Sequence, residues 1–249
     1  MKNIKFYKKI LPLVMAGTLT LTGCGAELGS DVSEYDVLST TNGNNTDNVM
    51  SGVEQLLDVH NEDFKLKVIY TSDEKEWRIT SDKELNMEVY TVGLPSNLSV
   101  FIDNVHTDTS IISTKAVFDG IEQDTMDDRI HNSQMLGFPI SDTVSYYGIN
   151  EIEGENKDFI TGFFYGYSSG STGTVEQKRY LESDFLSCGV WANRIDSVFD
   201  LIVVDNTTGE IRTMSVSSTL IVEVNNKITL SDGTVYEYDK NGKRKELSK

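Results

Sequence analysis

The chain has 249 residues, of which 38% are hydrophobic, and carries 22 basic against 39 acidic residues, a net charge of −17 at pH 7. Nucleic-acid binding depends on Lys and Arg side chains that neutralise phosphates, so this charge argues against a nucleic-acid partner. The same charge repels anionic lipid as a whole, so attachment to a membrane would need another source.

The first 23 residues have the pattern of an export signal. Four lysines and no acidic residue open the chain, and a mostly apolar stretch follows at Ile10–Thr22. A basic start followed by a short apolar core is typical of a secretory signal. The alternative is a short transmembrane anchor, but a spanning helix needs about 20 apolar residues. We therefore predict that residues 1–23 are a signal peptide.

The signal ends in Leu21-Thr22-Gly23-Cys24, which resembles the lipobox of bacterial lipoproteins. The resemblance covers residues 1–24 only. It implies cleavage before Cys24 and a diacylglyceryl group on the Cys24 sulfur, with fatty acyl chains such as palmitate. Two acyl chains hold a protein stably on a membrane, whereas one chain binds marginally. The resemblance thus implies a cell-membrane lipoprotein anchored at Cys24 on the extracytoplasmic face.

The mature chain is more acidic than the precursor. Four of the basic residues lie in the signal, so residues 24–249 carry 18 basic and 39 acidic residues, a net charge of −21. Cys188 is the only cysteine after Cys24. Once Cys24 is acylated no intramolecular disulfide can form, so the fold must depend on its core. Cys188 is most simply a small buried hydrophobic residue.

Residues 24–60 are predicted to form a flexible acidic tether. Nine carboxylates and no Lys or Arg occur between Gly25 and Phe64, and Ser39–Asn48 is polar and of low complexity. Such a composition buries too little apolar surface to order itself, above all over residues 25–47. A short helix is predicted within residues 47–60, where four apolar side chains fall near one face.

Residues 61–249 are predicted to form an all-β body, an immunoglobulin-like sandwich, as one domain or two β subdomains. β-branched and aromatic residues alternate with polar ones between regular turns, which is typical of sandwiches and barrels. The predicted strands are 64–70, 76–80, 85–92, 98–105, 109–118, 143–149, 158–167, 198–205, 211–224, 227–230 and 234–238.

Two segments break the β pattern. A short crossover helix is predicted at 125–136, with Asp124 as its cap and Pro139 beyond its end. The segment 174–185 fits a helix with a Thr174/Gln177 capping box, but a strand over 176–182 fits equally well.

Gly166–Gly170 fits the G-x-S-x-G pattern of a hydrolase nucleophile elbow. That motif needs an acidic residue and then a histidine later in the chain. The only histidines are His60, His106 and His131, all before Ser168. A flexible loop is therefore the favoured interpretation, and no catalytic residue is predicted.

Two acidic clusters suggest a metal site. Asp103, His106 and Asp108 form one cluster, and Asp124, Asp127, Asp128 and His131 form the other. On a helix, Asp127 and His131 would share a face and could both bind a divalent cation. No calcium-loop or zinc-ligand spacing is present. We therefore expect no metal and no cofactor, with Asp127 and His131 as the candidates if that expectation fails.

Aromatic and basic segments offer two further candidate surfaces. Phe159, Phe163 and Tyr165 belong to an aromatic run that is expected in the core, as are Trp77 and Trp191. The basic segment 240–249 could contact anionic wall polymer or lipid, but a solvated tail is favoured.

The sequence thus predicts a membrane-anchored surface lipoprotein whose body is a binding module with an unknown ligand. The expected partner is an envelope protein or cell-wall component, and the membrane is contacted through the anchor on Cys24. The alternatives are a surface enzyme or metal-dependent sensor that uses the Asp/His clusters, and a structural subunit of an envelope assembly.

Overall fold

The computed structural model describes residues 37–38, 50–130, 136–155, 158–164 and 174–248. A six-stranded sheet has the order β1-β12-β11-β5-β6, with β7 paired to the other end of β5. Apart from the parallel β1/β12 pair, its strands are antiparallel. Its strands are β1 (Val37–Leu38), β5 (Leu98–Ser113), β6 (Glu122–Arg129), β7 (Phe138–Ile140), β11 (Val190–Asp205) and β12 (Ile211–Glu223).

A second, four-stranded sheet has the order β2-β3-β4-β8 and is antiparallel throughout. Its strands are β2 (Met50–Asp58), β3 (Lys65–Ser72), β4 (Lys83–Val92) and β8 (Tyr146–Ile152). Smaller elements complete the described chain: β9 (Asp158–Phe164) with β10 (Thr174–Arg179), α1 (Glu182–Ser187), and the three-stranded sheet β13 (Lys227–Thr229), β14 (Val235–Tyr238) and β15 (Arg244–Ser248).

The two large sheets pack face to face around one apolar core. Alternate residues of each strand point inward, as in β4, where Leu85, Met87 and Val89 are fully buried. Phe199 of β11 lies in the same buried cluster on the opposite sheet. The period-two burial is the feature that the sequence alternation predicts, and the all-β sandwich is confirmed.

The order of the strands differs from that of an immunoglobulin domain. An immunoglobulin domain orders its sheets A-B-E-D and C-F-G. Here β2, β3 and β4 are neighbours in both sequence and space, with β8 added beside β4. The two-sheet architecture is shared with immunoglobulin domains, whereas β2, β3 and β4 form a meander.

The helix predicted within residues 47–60 is wrong, because Met50–Asp58 form strand β2. Gln55 explains the preference for a strand: its carboxamide donates to the Thr219 carbonyl at 2.9 Å and accepts from the Ser218 hydroxyl. Ser218 in turn bonds to the Tyr70 hydroxyl at 2.8 Å. The folded body therefore includes β2, and the predicted tether cannot extend to residue 60.

Three further predictions need correction. The helix predicted at 125–136 is wrong, because Glu122–Arg129 form strand β6 along β5. The segment 174–185 contains both a strand, Thr174–Arg179, and the start of helix α1. The segment 240–249 is not a free tail, because Arg244–Ser248 pair with β14. Among the described residues, no helix combines the length and apolarity needed to span a membrane.

Candidate functional site

Residues 73–82, here called the plug loop, close one end of the sandwich. The sequence predicts a strand at 76–80, but this segment forms no strand. Trp77 and Ile79 are instead buried, at 1% and 0% exposure. The Trp77 indole N–H donates to Asn193 Oδ1 at 2.9 Å, and Gln123 Nε2 donates to the Ile79 carbonyl at 2.9 Å. Two strands of the six-stranded sheet, β11 and β6, thus hold the loop, and we call this end of the sandwich the plugged end.

A carboxylate from helix α1 fixes the same loop from outside. Glu182 accepts hydrogen bonds from the Ile79 and Thr80 backbone N–H groups at 3.1 and 2.9 Å, and from the Thr80 hydroxyl at 2.7 Å. The backbone at Gly154 also approaches closely, since a Cβ there would lie 2.4 Å from the Thr80 carbonyl oxygen. Only glycine permits this contact.

Lys83 is the first residue of β4 and lies on its inner face, with an exposure of 3%. Its Nζ donates to the carbonyl oxygens of Arg78 and Ser81 at 2.8 and 3.0 Å. The ammonium also lies 5.7 Å from the centre of the Trp77 ring. Lys83 therefore ties the plug loop to the four-stranded sheet from within.

Burial lowers the pKa of Lys83 to about 8, because the low-dielectric surroundings disfavour the ammonium. Neighbouring carboxylates oppose the shift, with Glu182 first, then Asp82, Glu74 and Asp124. Desolvation is the larger effect, so the side chain is charged below about pH 8 and neutral well above it.

A recess of about 590 Å³ opens beside Lys83 at the plugged end. We call it the Lys83 recess. Most of its lining residues carry a carboxylate, and they come from the plug loop and from β4, β6 and β8 with its following loop: Glu74, Asp82, Lys83, Glu84, Asp124, Glu151, Ile152 and Glu153.

Two of these carboxylates are held by backbone N–H groups. Asp82 accepts from Gly154 N at 2.8 Å, and Asp124 accepts from Glu153 N at 3.2 Å. These contacts fix negative charge in a concave surface, where charges of one sign concentrate the electrostatic field. The recess therefore attracts positively charged groups.

Sequence reasoning missed Lys83, although a signal for it exists. The inward alternation Leu85, Met87, Val89 extends back by one step to Lys83. A lysine in line with buried apolar residues indicates a buried ammonium, which needs partners because unpaired buried charge is costly.

The predicted Asp/His clusters meet on the outer face of the six-stranded sheet, where β5 and β6 pair. His106 lies opposite Asp127 in the register. Its Nε2 is 3.2 Å from Asp108 Oδ2, and its Nδ1 is 3.7 Å from Asp127 Oδ1. Asn104 also donates to Asp127 Oδ1 at 3.0 Å. The two carboxylates face opposite ring nitrogens, so they cannot join His106 around one metal ion.

The strand pairing separates the other members of these clusters. Asp128 accepts a hydrogen bond from the Tyr146 hydroxyl, and Asp124 lines the Lys83 recess. The hydroxyl of Tyr146 has its pKa raised by burial and by Asp128. His131 lies outside the described residues. Because Asp127 is in a strand, the shared helical face proposed for Asp127 and His131 does not exist.

In the part of the chain that the structure describes, no three His, Cys, Asp or Glu side chains lie where they could hold one metal ion. This agrees with the opposed carboxylates around His106.

The remaining candidates are distributed over core and surface. Trp77 is buried as predicted, whereas Trp191 lies at the rim of the core under the Lys240 ammonium, 3.8 Å from its ring centre. Cys188 is a partly buried cysteine that forms no disulfide among the described residues and packs against the core. Tyr146 is buried and Tyr147 is 60% exposed. Cys24 and the G-x-S-x-G segment lie outside the described residues, as does Tyr165, and Phe159 and Phe163 lie in β9.

No protein-family model matches the chain, and no curated protein matches it.

Proposed function

We propose that this protein is a lipid-anchored binding module on the extracytoplasmic face of a bacterial membrane. The observation that carries the proposal is the quartet Leu21-Thr22-Gly23-Cys24 at the end of a basic and then apolar leader. The thiolate of Cys24 is the nucleophile that lipid transfer requires. Two acyl chains would then hold the protein on the membrane despite its acidic surface.

The geometry of the body supports binding more than catalysis. A reactive lysine must reach its substrate, but the Lys83 amine is 3% exposed and donates to two backbone carbonyls. The His106 ring is engaged by a carboxylate on each side. Lys83 and His106 thus serve contacts within the fold, which favours a binding role over catalysis by these two groups.

The Lys83 recess gives the proposed module its electrostatic character. Its fixed carboxylates favour a partner with positively charged groups, since complementary charge increases the association rate and excludes partners of the same sign. An envelope protein with a basic segment has this chemistry.

Fractionation of cells that express the wild type and Cys24→Ala tests the proposal. The wild type should be found in the membrane fraction, and Cys24→Ala should be released or remain as the unprocessed precursor. Cys188→Ala is the matched control, because it removes the other thiol and should leave the membrane fraction unchanged. If Cys24→Ala stays membrane-bound with the wild-type N-terminus, the proposal fails.

A further inference from the structure

The C-terminal three-stranded sheet carries a cluster of basic side chains on an acidic protein. Residues 227–248 carry five basic and four acidic side chains, in a chain whose net charge is −17. Four of the basic side chains occur within six residues and are exposed: Lys240, Lys243, Arg244 and Lys245. We call these four residues the basic flank. A recess of about 510 Å³ is lined by Lys243, Arg244 and Lys245 together with Asn226, Glu237, Tyr238 and Asp239.

Contacts within the fold hold two of these cations in place. The Arg244 guanidinium carbon lies 4.2 Å from the centre of the Tyr236 ring. The Lys240 ammonium lies 3.8 Å above Trp191 and 3.0 Å from Glu223 Oε1. Stacking on aromatic rings positions a cation while it keeps its charge. The basic flank is therefore a fixed surface of the body.

Two exposed leucines lie at the other end of the same small sheet. Leu230 is 44% exposed and Leu247 is 42% exposed. Both lie beside the start of β14, because Leu230 N–H donates to the Thr234 carbonyl and Ser248 pairs with Val235. Arg244 pairs with Tyr238 at the end of β14, so the basic flank is defined by its charges and not by these leucines.

The chain enters the body at the end where the basic flank lies. Val37 pairs with Ile221, two residues before the end of β12 at Glu223. Met50, the first residue of β2, pairs with Ser72 beside the plug loop. The plug loop in turn contacts the segment that leads into β13, since Asn225 N–H donates to the Trp77 carbonyl at 2.7 Å. The plugged end, the chain entry and the basic flank therefore coincide.

The anchor restricts how far this end can lie from the membrane. Thirteen positions separate Cys24 from Val37. An extended chain of that length spans at most about 45 Å. When Cys24 carries the lipid, Val37 at the plugged end therefore stays within about 45 Å of the membrane surface, which keeps the basic flank within reach of the headgroups.

Charge is distributed unevenly across the plugged end. The basic flank continues from β12, beside the entry of β2, whereas the Lys83 recess lies at β4 and β8 on the other side. An anionic membrane surface attracts the first and repels the second, over about one Debye length of 8–10 Å. Attraction of the basic flank and repulsion of the Lys83 recess therefore favour the same tilt of the body.

We propose that the basic flank contacts the anionic headgroups of the membrane in which the protein is anchored, and that this contact orients the body with the Lys83 recess turned away from the lipid. The inference rests on the proposed lipid anchor at Cys24. The anchor supplies attachment, and the basic flank sets orientation.

Amine footprinting of the mature lipidated protein on vesicles tests the orientation. The protein is reconstituted on phosphatidylcholine vesicles and on vesicles that also contain phosphatidylglycerol, and lysine acetylation is measured by peptide mass spectrometry. Lys243 and Lys245 should react several-fold more slowly when phosphatidylglycerol is present, and high salt should abolish the difference. Lys65, which pairs with Val92 at the other end of the sandwich, should react equally on both.

Matched charge reversals separate the basic flank from overall charge. Lys243→Glu with Lys245→Glu should abolish the phosphatidylglycerol-dependent protection of Lys240, and Lys65→Glu with Lys67→Glu should leave it intact. Equal reactivity on the two vesicle types would overturn the orientation. Protection by soluble poly(glycerol phosphate) but not by phosphatidylglycerol would also overturn it, in favour of a wall polymer. Failure of the protein to sediment with any vesicle would reject the anchor itself.

Discussion

At the scale of single residues, Lys83 is the most informative side chain. It places an ammonium inside an apolar core and satisfies it with the carbonyls of Arg78 and Ser81. Such a group carries a desolvation cost while it is charged, and the cost disappears when the proton leaves. The contacts of the neutral amine with the plug loop can persist, because the amine still donates hydrogen bonds.

The lowered pKa of Lys83 predicts a pH-dependent stability. The unfolded chain keeps this proton up to its ordinary pKa of 10.5, whereas the folded protein releases it near pH 8. Between these values the unfolded state binds more protons, so the free energy of unfolding rises with pH through this window. The rise is at most about 3.5 kcal/mol, at about 1.4 kcal/mol per pH unit.

Urea denaturation of the wild type and Lys83→Met at pH 7, 9 and 10 measures this effect. Other lysines and tyrosines titrate in both proteins, so the stability difference between them isolates Lys83. That difference should change in favour of the wild type as the pH rises. Lys65→Met is the matched control, because this lysine is exposed and paired with Asp58. A pH-independent difference for Lys83→Met would show that its ammonium is not desolvated.

At the scale of secondary-structure elements, the alternation of apolar and polar residues predicts the central strands well. It predicts poorly the strands that pair with them. The pattern around Leu85 or Phe199 specifies a strand because one face is buried. Strand β6 has no such pattern. Its sequence, EQDTMDDR, is mostly polar, and it is a strand because it pairs with β5 over most of its length. Tertiary pairing of this kind overrides local propensity, so the helix predicted at 125–136 could not be avoided from the sequence.

The composition of the Lys83 recess likewise depends on how the strands pair. The Lys83 recess gathers side chains from positions 74–84, 124 and 151–153. No short motif joins these positions. The β4/β8 register places Lys83 opposite Ile152, and Asp124 comes from β6 of the other sheet, where it accepts from Glu153 N–H. The proximity of His106 to Asp127 likewise depends on the β5/β6 register. The sequence shows which residue types are available, and the strand pairing decides which of them meet.

Strand β2 provides a test at this scale. A protein that begins at Val49 should keep its stability within about 1 kcal/mol, because the one described pairing that it loses is the two-residue β1/β12 pair. A protein that begins at Asn61 loses all of β2, and with it the Gln55 carboxamide that satisfies Ser218. That loss should exceed about 4 kcal/mol or prevent folding. Equal urea midpoints for the two truncated proteins would show that β2 is dispensable.

At the scale of the whole molecule, three features follow one another along the chain. A basic and then apolar segment ends at the quartet Leu21-Thr22-Gly23-Cys24, an acidic segment follows, and a β-sandwich begins no later than Met50. The proposed anchor and the proposed orientation both use the end of the sandwich where the chain enters. The fold of the sandwich depends on many residues of the body. The proposed anchor, by contrast, depends on a single atom, the Cys24 sulfur.

Mass spectrometry of the protein extracted from bacterial membranes tests that central claim most directly. We expect residues 1–23 to be absent from the extracted protein. The N-terminal peptide should begin at Cys24 and carry a diacylglyceryl group on its sulfur. Hydrolysis of the esters should release fatty acids from this peptide. An N-terminal peptide that retains residues before Cys24, or one with an unmodified Cys24 thiol, would contradict the account.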